Sequence, residues 1–351
     1  MMTGKMWQVH EQVKKEIAQN SDYKPNSLEF IEENQSETQN LIQEATKLYQ
    51  NGKFGECAKV FRQLARTTKD LEHKCETKGK YVDRNSLNDL TGKEWLRHTK
   101  SWLVVDGKPS DIVYDIKNHP ASFPPALANH FIEYFTKKEE WVLDPFMGIG
   151  SVLKSARDLE RNCWGIELNK NYQEFALNRV KSNGSLKLDV VHGDARDAVS
   201  FWKKKKYPAV NFVITSPPYW NMLSKSRGGV KSALKQRVES GLDEKYSELP
   251  NDLGNISDLN QYLDDLYSVF ADMKSVLAVD AYVVVVLQNI RKKDGEMEPI
   301  AWRFAEKMKK SYKLKQEFIW CQDQKFMGIW GYPKTYVSNV HHHYCLVFQN
   351  N

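Results

Sequence analysis

The sequence predicts an α/β protein built on a mostly parallel sheet, and three observations carry the prediction. Short apolar runs suited to buried strands recur at 141–144, 163–167, 188–191, 210–214 and 282–287, with helical apolar spacing between them. One of them, Trp141-Val142-Leu143-Asp144, leads straight into the glycine loop Pro145-Phe146-Met147-Gly148-Ile149-Gly150 and then a helical stretch from Ser151. Several runs end on a polar residue, at the end of the sheet where open α/β folds bind ligands.

At 351 residues the chain has room for roughly two domains and one sizeable core. Its 41% apolar and 27% charged residues are those of an ordinary soluble protein. No run of about 18 apolar residues exists, so no membrane partner is expected. The start, Met1-Met2-Thr3-Gly4-Lys5, lacks a secretory pattern, and Cys57, Cys75, Cys163, Cys321 and Cys345 are scattered without metal spacing. A cytoplasmic protein with no metal site is the expectation.

Residues 1–84 read as a helical accessory region. Leu41, Ala45, Leu48 and Tyr49 keep helical spacing up to Asn51-Gly52, and Phe54, Ala58, Phe61 and Ala65 resume it. The pair looks like a single tetratricopeptide-type unit, and one unit cannot make a solenoid. Residues 85–117, with Asn85-Ser86-Leu87-Asn88-Asp89-Leu90-Thr91-Gly92, Trp95, His98 and Trp102, read as a connector lying across the next domain. Residues 118–351 form that domain. It opens with Asn118 to Pro125, a stiff entry to a helix bearing Leu127, Phe131, Tyr134 and Phe135.

The glycine loop lacks the third glycine of a dinucleotide fingerprint and has no Gly-Lys-Ser/Thr for a triphosphate. Its strand context is more specific. The next strand ends at Glu167, about twenty residues on, where a carboxylate meets ribose hydroxyls, and a third is followed by Gly193-Asp194. Asp144, Glu167 and Asp194 at successive strand ends suit a nucleoside-like ligand not held by phosphates.

Downstream, Val210-Asn211-Phe212-Val213-Ile214 runs into Thr215-Ser216-Pro217-Pro218-Tyr219-Trp220. The prolines stop any regular element and hold a serine and two aromatics at a strand end. Such a corner suits a planar group bearing an amine. Lys203 to Lys206 precede it, and Lys225, Arg227, Lys231, Lys235 and Arg237 follow, a distribution suited to a nucleic-acid backbone in a chain of net charge +6.

Residues 221–256 read as a long basic loop insertion. A helix with Leu259, Tyr262, Leu263, Leu266, Phe270, Met273 and Leu277 on one face follows, with Ser257 as N-cap. Tyr282 to Leu287 is a strand, a charged turn at Lys292 to Gly295 leads to a helix through Ile300, Phe304 and Met308, and strands near Phe318–Trp320 and Tyr344–Phe348 complete about seven. Cys321-Gln322 and His341-His342-His343 read as parts of strands, since neighbours on a strand point to opposite faces.

From Asn118 onwards the chain resembles the S-adenosylmethionine-dependent amino-methyltransferases of DNA. Asp144 to Gly150 is similar to the family's cofactor loop, D-P-F-x-G-x-G, and Ser216-Pro217-Pro218-Tyr219 to its catalytic motif, whose lead residue is Ser in most cytosine-N4 enzymes. The resemblance implies a Rossmann-like class I methyltransferase fold, a mostly parallel seven-stranded sheet with an antiparallel last strand. It implies S-adenosyl-L-methionine as cofactor, bound by His119, Pro120, Phe123, Asp144, Phe146, Gly148, Gly150, Ser151, Glu167 and Asp194, with Glu167 on the ribose and Asp194 on the adenine amine. Ser216, Pro217, Pro218 and Tyr219 become the catalytic residues, and Trp220, Lys225, Arg227 and Lys231 the contacts to DNA with its flipped base. The expected activity is cytosine-N4 methylation of DNA, of restriction–modification type with a cognate endonuclease or as an orphan. Adenine-N6 methylation, an RNA amine substrate and a non-catalytic nucleic-acid-binding module stay open. Recognition is expected from the N-terminal helices or the 221–256 loop, because few residues follow the last strand; the oligomeric state is open.

Overall fold

The computed structural model describes residues 39–60, 63, 85–105, 124–180, 185–220, 249, 251–292, 295–322 and 340–350. The chain divides into two compact units, Met1–Gly79 and Lys80–Asn351.

In the first unit, helices α1 (39–50) and α2 (54–60) meet across a turn at Gly52, whose φ of +72° is the left-handed conformation glycine adopts freely. Leu41, Ala45, Cys57 and Val60 are buried together, with Leu48 against them. The hairpin is present, but its second face differs from the spacing reading. Phe54 and Ala58 point outwards, Cys57 and Val60 inwards, because the turn resets the helical phase. Tyr49 and Phe54 are both exposed and meet edge-on at 5.6 Å; Phe61 and Ala65 lie outside the described residues.

The second unit is wound on an eight-stranded sheet. Its strands are β1 (Trp102–Val104), β2 (Trp141–Asp144), β3 (Asn162–Glu167), β4 (Leu188–His192), β5 (Val210–Thr215), β6 (Leu277–Leu287), β9 (Lys313–Cys321) and β10 (His342–Gln349), and β7 (Ile290–Arg291) pairs with β8 (Met297–Glu298) in a small separate ladder. The order is β1-β9-β10-β6-β5-β2-β3-β4. Pairs from β4 through β3, β2 and β5 to β6 are parallel, while β10 runs antiparallel to both β6 and β9. A parallel sheet that reverses its winding between β2 and β5 and takes its last strand in antiparallel between β6 and β9 is the Rossmann-like methyltransferase order. An eighth, three-residue strand, β1, extends the expected seven by pairing in parallel with β9, Trp102 opposite Ile319.

Helices cover both faces: α4 (Pro125–Phe135), α5 (Ser151–Asp158), α6 (Lys170–Arg179), α7 (Ala198–Lys205), α8 (Leu259–Met273) and α9 (Ile300–Met308), with the short α3 (Gly92–His98) beside α4. Central strands are therefore buried on both faces and read as continuous apolar runs. On β6, Val283, Val285 and Leu287 join one core and Val284 and Val286 the other. Each such side chain contributes about 1.5–3 kcal/mol on burial. Helix α8 is capped by Asp258, whose side chain accepts from Gln261 N at 2.8 Å. The cap is thus Asp258 rather than Ser257, one residue later, where a carboxylate also suits the helix N-terminus.

Residues 85–105 belong to this unit. Asn88 is fully buried and donates to the Tyr134 carbonyl at 2.7 Å, and Arg161, 5% exposed, bonds Thr136 and reaches Asp89 at 3.3 Å. Thr91 and Glu94 form a reciprocal capping box on α3. Residues 106–117 lie outside the described residues.

Candidate active site

Strands β2 and β5 are parallel neighbours, Val142 opposite Phe212 and Leu143 opposite Val213, and their chains leave in opposite directions across the sheet. Asp144 and Thr215 end them. The Thr215 hydroxyl donates to Asp144 Oδ1 at 2.6 Å, and Phe146 N donates to the same oxygen at 3.0 Å. Burial pushes the Asp144 carboxyl up to about 7, against these two hydrogen bonds and with the nearby Glu167 charge adding to the rise.

The glycine loop is stitched to the end of β3. Met147 N donates to the Ile166 carbonyl, Gly148 N to Glu167 Oε2 at 2.7 Å, and Asn169 N to Glu167 Oε1 at 2.8 Å. Burial pushes Glu167 up to about 7 as well. Gly150 takes a φ of +83°, and a Cβ there would lie 2.9 Å from Ala176 Cβ, so only glycine lets the loop pass over α6. Gly165 of β3 serves the same closeness, since a Cβ on it would meet the Asp144 carbonyl at 2.8 Å.

At the end of β4, Asp194 is gripped on both oxygens. Arg196 donates Nε to Oδ1 at 2.9 Å and Nη2 to Oδ2 at 2.6 Å, its backbone N adds a bond to Oδ1, and Asn251 Nδ2 bonds Oδ2 at 2.9 Å. Burial would raise this carboxyl, but the hydrogen bonds and charge of Arg196 outweigh it and hold Asp194 below the usual carboxylate range.

These elements surround one pocket. Asp144, Phe146, Gly148, Ser151, Glu167 and Asp194 line it together with Ser216 and Pro218. Gly150, Pro217, Tyr219 and Trp220 are not among the lining residues; Tyr219 is buried in the core and Trp220 packs half-buried against it. His119, Pro120, Phe123, Lys225, Arg227 and Lys231 lie outside the described residues, as does most of the 221–256 insertion. Its last part is described, and it is not plain loop. Leu253–Asn255 form a 3₁₀ turn capped by Asp252, and Asn251, Asp252 and Leu253 line the pocket. The pattern Asn251-Asp252-x-Gly254, a side-chain turn signal, was the available clue. Asn169 and Tyr172 are further lining residues that strand-end reasoning passed over.

At the diproline corner, the Ser216 hydroxyl donates to Tyr219 Oη at 3.2 Å. The Tyr262 hydroxyl, from α8, donates to the Pro218 carbonyl at 2.8 Å and fixes the corner from below. Tyr219 is buried with its ring 5.8 Å from that of His343, which stacks on Trp320 at 4.6 Å. His343, on β10, therefore supplies packing under the corner.

Residues 6–178 match the family model described as DNA methylase, N6_N4_Mtase. Type II methyltransferase M.Cfr9I of Citrobacter freundii is 41% identical over 101 residues, 29% of this chain and 32% of that protein. M.XycI of Xanthomonas campestris pv. cyanopsidis is 39% identical over 90 residues, 26% of this chain and 28% of that one. M.MthZI of Methanothermobacter thermautotrophicus is 29% identical over 100 residues, 28% of each chain. The chain thus spans between 28% and 39% of the length of the first curated relatives it matches. Among solved structures, TrmN from Thermus thermophilus overlaps 68% of this chain and 52% of its own at 13% identity with a TM-score of 0.40, too slight to add to what the strand order shows. No helix among the described residues is long and apolar enough to cross a membrane.

Proposed function

We propose that this chain, a relative of the N6/N4 DNA methylases, transfers a methyl group from S-adenosylmethionine to the N4 amine of cytosine in DNA. The observation that carries the reading is the Thr215–Asp144 hydrogen bond. It joins the end of the glycine-loop strand to the serine–diproline corner across the switch point, so one pocket has both on its wall.

The pocket fits the cofactor's chemistry. Asp144, Glu167, Asp194 and Asp252 line it with carboxyl groups, which offer hydrogen-bond acceptors to a polar ligand. Ser151 Oγ is buried on the same wall with no hydrogen-bond partner among the described residues, a donor and acceptor that a polar ligand atom satisfies. When bound, the cofactor supplies an electrophilic methyl on a sulfonium. Glu167 is assigned to the ribose hydroxyls, and Phe146, Gly148 and Ser151 to the loop side of the ligand; Gly150 shapes the loop.

The target amine is a poor nucleophile while its lone pair is delocalised into the base. The Ser216 hydroxyl donates its hydrogen bond to Tyr219 Oη, which leaves the Oγ lone pairs to accept one N–H of the amine. The Pro217 carbonyl, which accepts no hydrogen bond among the described residues, takes the other. Both bonds draw the lone pair back onto nitrogen. Tyr262 keeps the Pro218 carbonyl in place, so rate comes from holding the amine in line rather than from a strong base. The spare amine proton becomes acidic on methylation and leaves to water. The half-buried Trp220 is assigned to the base, at about 1–3 kcal/mol for a stacked base, and Lys225, Arg227 and Lys231 to the phosphates, while the buried Tyr219 serves as the partner of Ser216. The role is DNA modification, of restriction–modification type with a cognate endonuclease or as an orphan.

The test is to methylate duplex DNA, digest it to nucleosides and identify the product by mass spectrometry. N4-methylcytosine is expected. N6-methyladenine overturns the choice of base, and methyl transfer to structured RNA alone overturns the choice of nucleic acid.

A further inference from the structure

We infer that Asn251, not Asp194, reads the 6-amino edge of the cofactor's adenine; the inference rests on the cofactor assignment above. A carboxylate offers four lone-pair directions. On Asp194 the two on Oδ1 take Arg196 N and Nε, and the two on Oδ2 take Arg196 Nη2 and Asn251 Nδ2. Its acceptor capacity is spent inside the protein, and an exocyclic amine arriving there finds no vacant acceptor.

Asn251 is the next polar side chain on that stretch of the pocket wall. Its Nδ2 is committed to Asp194, which fixes the orientation of the amide. Its backbone carbonyl accepts Arg196 Nη2 at 2.6 Å, which fixes the main chain too. Among the described residues Asn251 Oδ1 accepts no hydrogen bond. An acceptor oriented by two ties and bordering the pocket is suited to an amine donor and repels a carbonyl oxygen. Arg196 and Asp194 are then positioning residues that hold Asn251, and the base is selected by a residue contributed from the end of the 221–256 insertion.

The experiment measures binding of S-adenosylhomocysteine and S-inosylhomocysteine, which carries a carbonyl in place of the amine, to the full chain by titration calorimetry. Wild type is expected to prefer the adenosyl ligand, and N251A to lose about tenfold of that preference, the size of one polar hydrogen bond and its unfavourable counterpart. Asn251 is on the exposed side of its contacts with Arg196 and Asp194, and the two ligands control for each other within one protein, so a general loss of binding does not mimic the result. Retained discrimination in N251A overturns this inference alone. Failure of wild type to bind either ligand overturns the cofactor assignment and this inference with it.

Discussion

Thr215 and Asp144 lie 71 residues apart in sequence and share a 2.6 Å hydrogen bond between the ends of adjacent strands, both side chains buried. A buried carboxyl group that loses one of its two donors is less well compensated for its desolvation, with Phe146 N the remaining partner. Thr215→Val is expected to destabilise the protein by about 1–3 kcal/mol, and Thr215→Ser to recover most of it. Urea unfolding of the three proteins checks the prediction; equal midpoints for Val and Ser variants contradict it.

The pH dependence of stability follows from the same pair of carboxylates. Asp144 and Glu167 titrate near 7 in the folded protein, whereas an unfolded chain releases those protons at about 4. Between these values the folded state holds protons the unfolded state has lost. Their contribution is therefore most favourable below about 4 and is lost as pH rises through about 7. Asp144→Asn is expected to flatten the decline in melting temperature between pH 5 and 8 by several degrees, read by thermal unfolding at each pH.

Replacing Ser216 separates chemistry from binding. Ser216→Ala is expected to lower turnover about 100-fold, the scale of losing one oriented polar contact to a reacting group. Affinity for S-adenosylhomocysteine should stay within about threefold. Tyr219→Phe, which removes the acceptor of the Ser216 proton, should cost less, about tenfold in turnover. A large affinity loss in Ser216→Ala would argue that the serine holds the cofactor instead.

Gly165 tests the contact between loop and sheet. A methyl group there meets the Asp144 carbonyl at 2.8 Å and Met147 Cβ at 3.1 Å, so Gly165→Ala is expected to cost about 1–3 kcal/mol by overpacking and to weaken ligand binding with it. Gly92, which has open space around it, is the control: Gly92→Ala should be neutral or stabilising, since its backbone is helical.

The central strands and the pocket floor were legible because their causes are local. β2, β3 and β5 are buried on both faces and spell out apolar runs, and the carboxylates at their ends follow from the strand ends themselves. β9 was visible only at Phe318–Trp320. Its first five residues, Lys313 to Glu317, are exposed and show no alternation, and the hydrogen bonds to β10 that make them a strand are invisible in sequence. β1 is three residues of exposed-intermediate-exposed pattern, set by its neighbour alone. The grip of Arg196 and Asn251 on Asp194 spans 57 residues, so spacing could suggest an acid at that strand end but not that its oxygens are already engaged.

That same three-residue strand has a bearing on how copies of the chain behave towards one another. β9 is the outer long strand, and an uncovered strand is a template on which another chain can add. β1 covers it at Ile319, Trp320 and Cys321, its apolar end, while Lys313, Lys315 and Glu317 guard the remainder with charge. Solubility at this side of the sheet is shared between a patch of borrowed backbone and a row of charged side chains. Trimming the chain past Val105 would leave the charges in place and bare the apolar end, turning a covered edge into a site for strand-by-strand association.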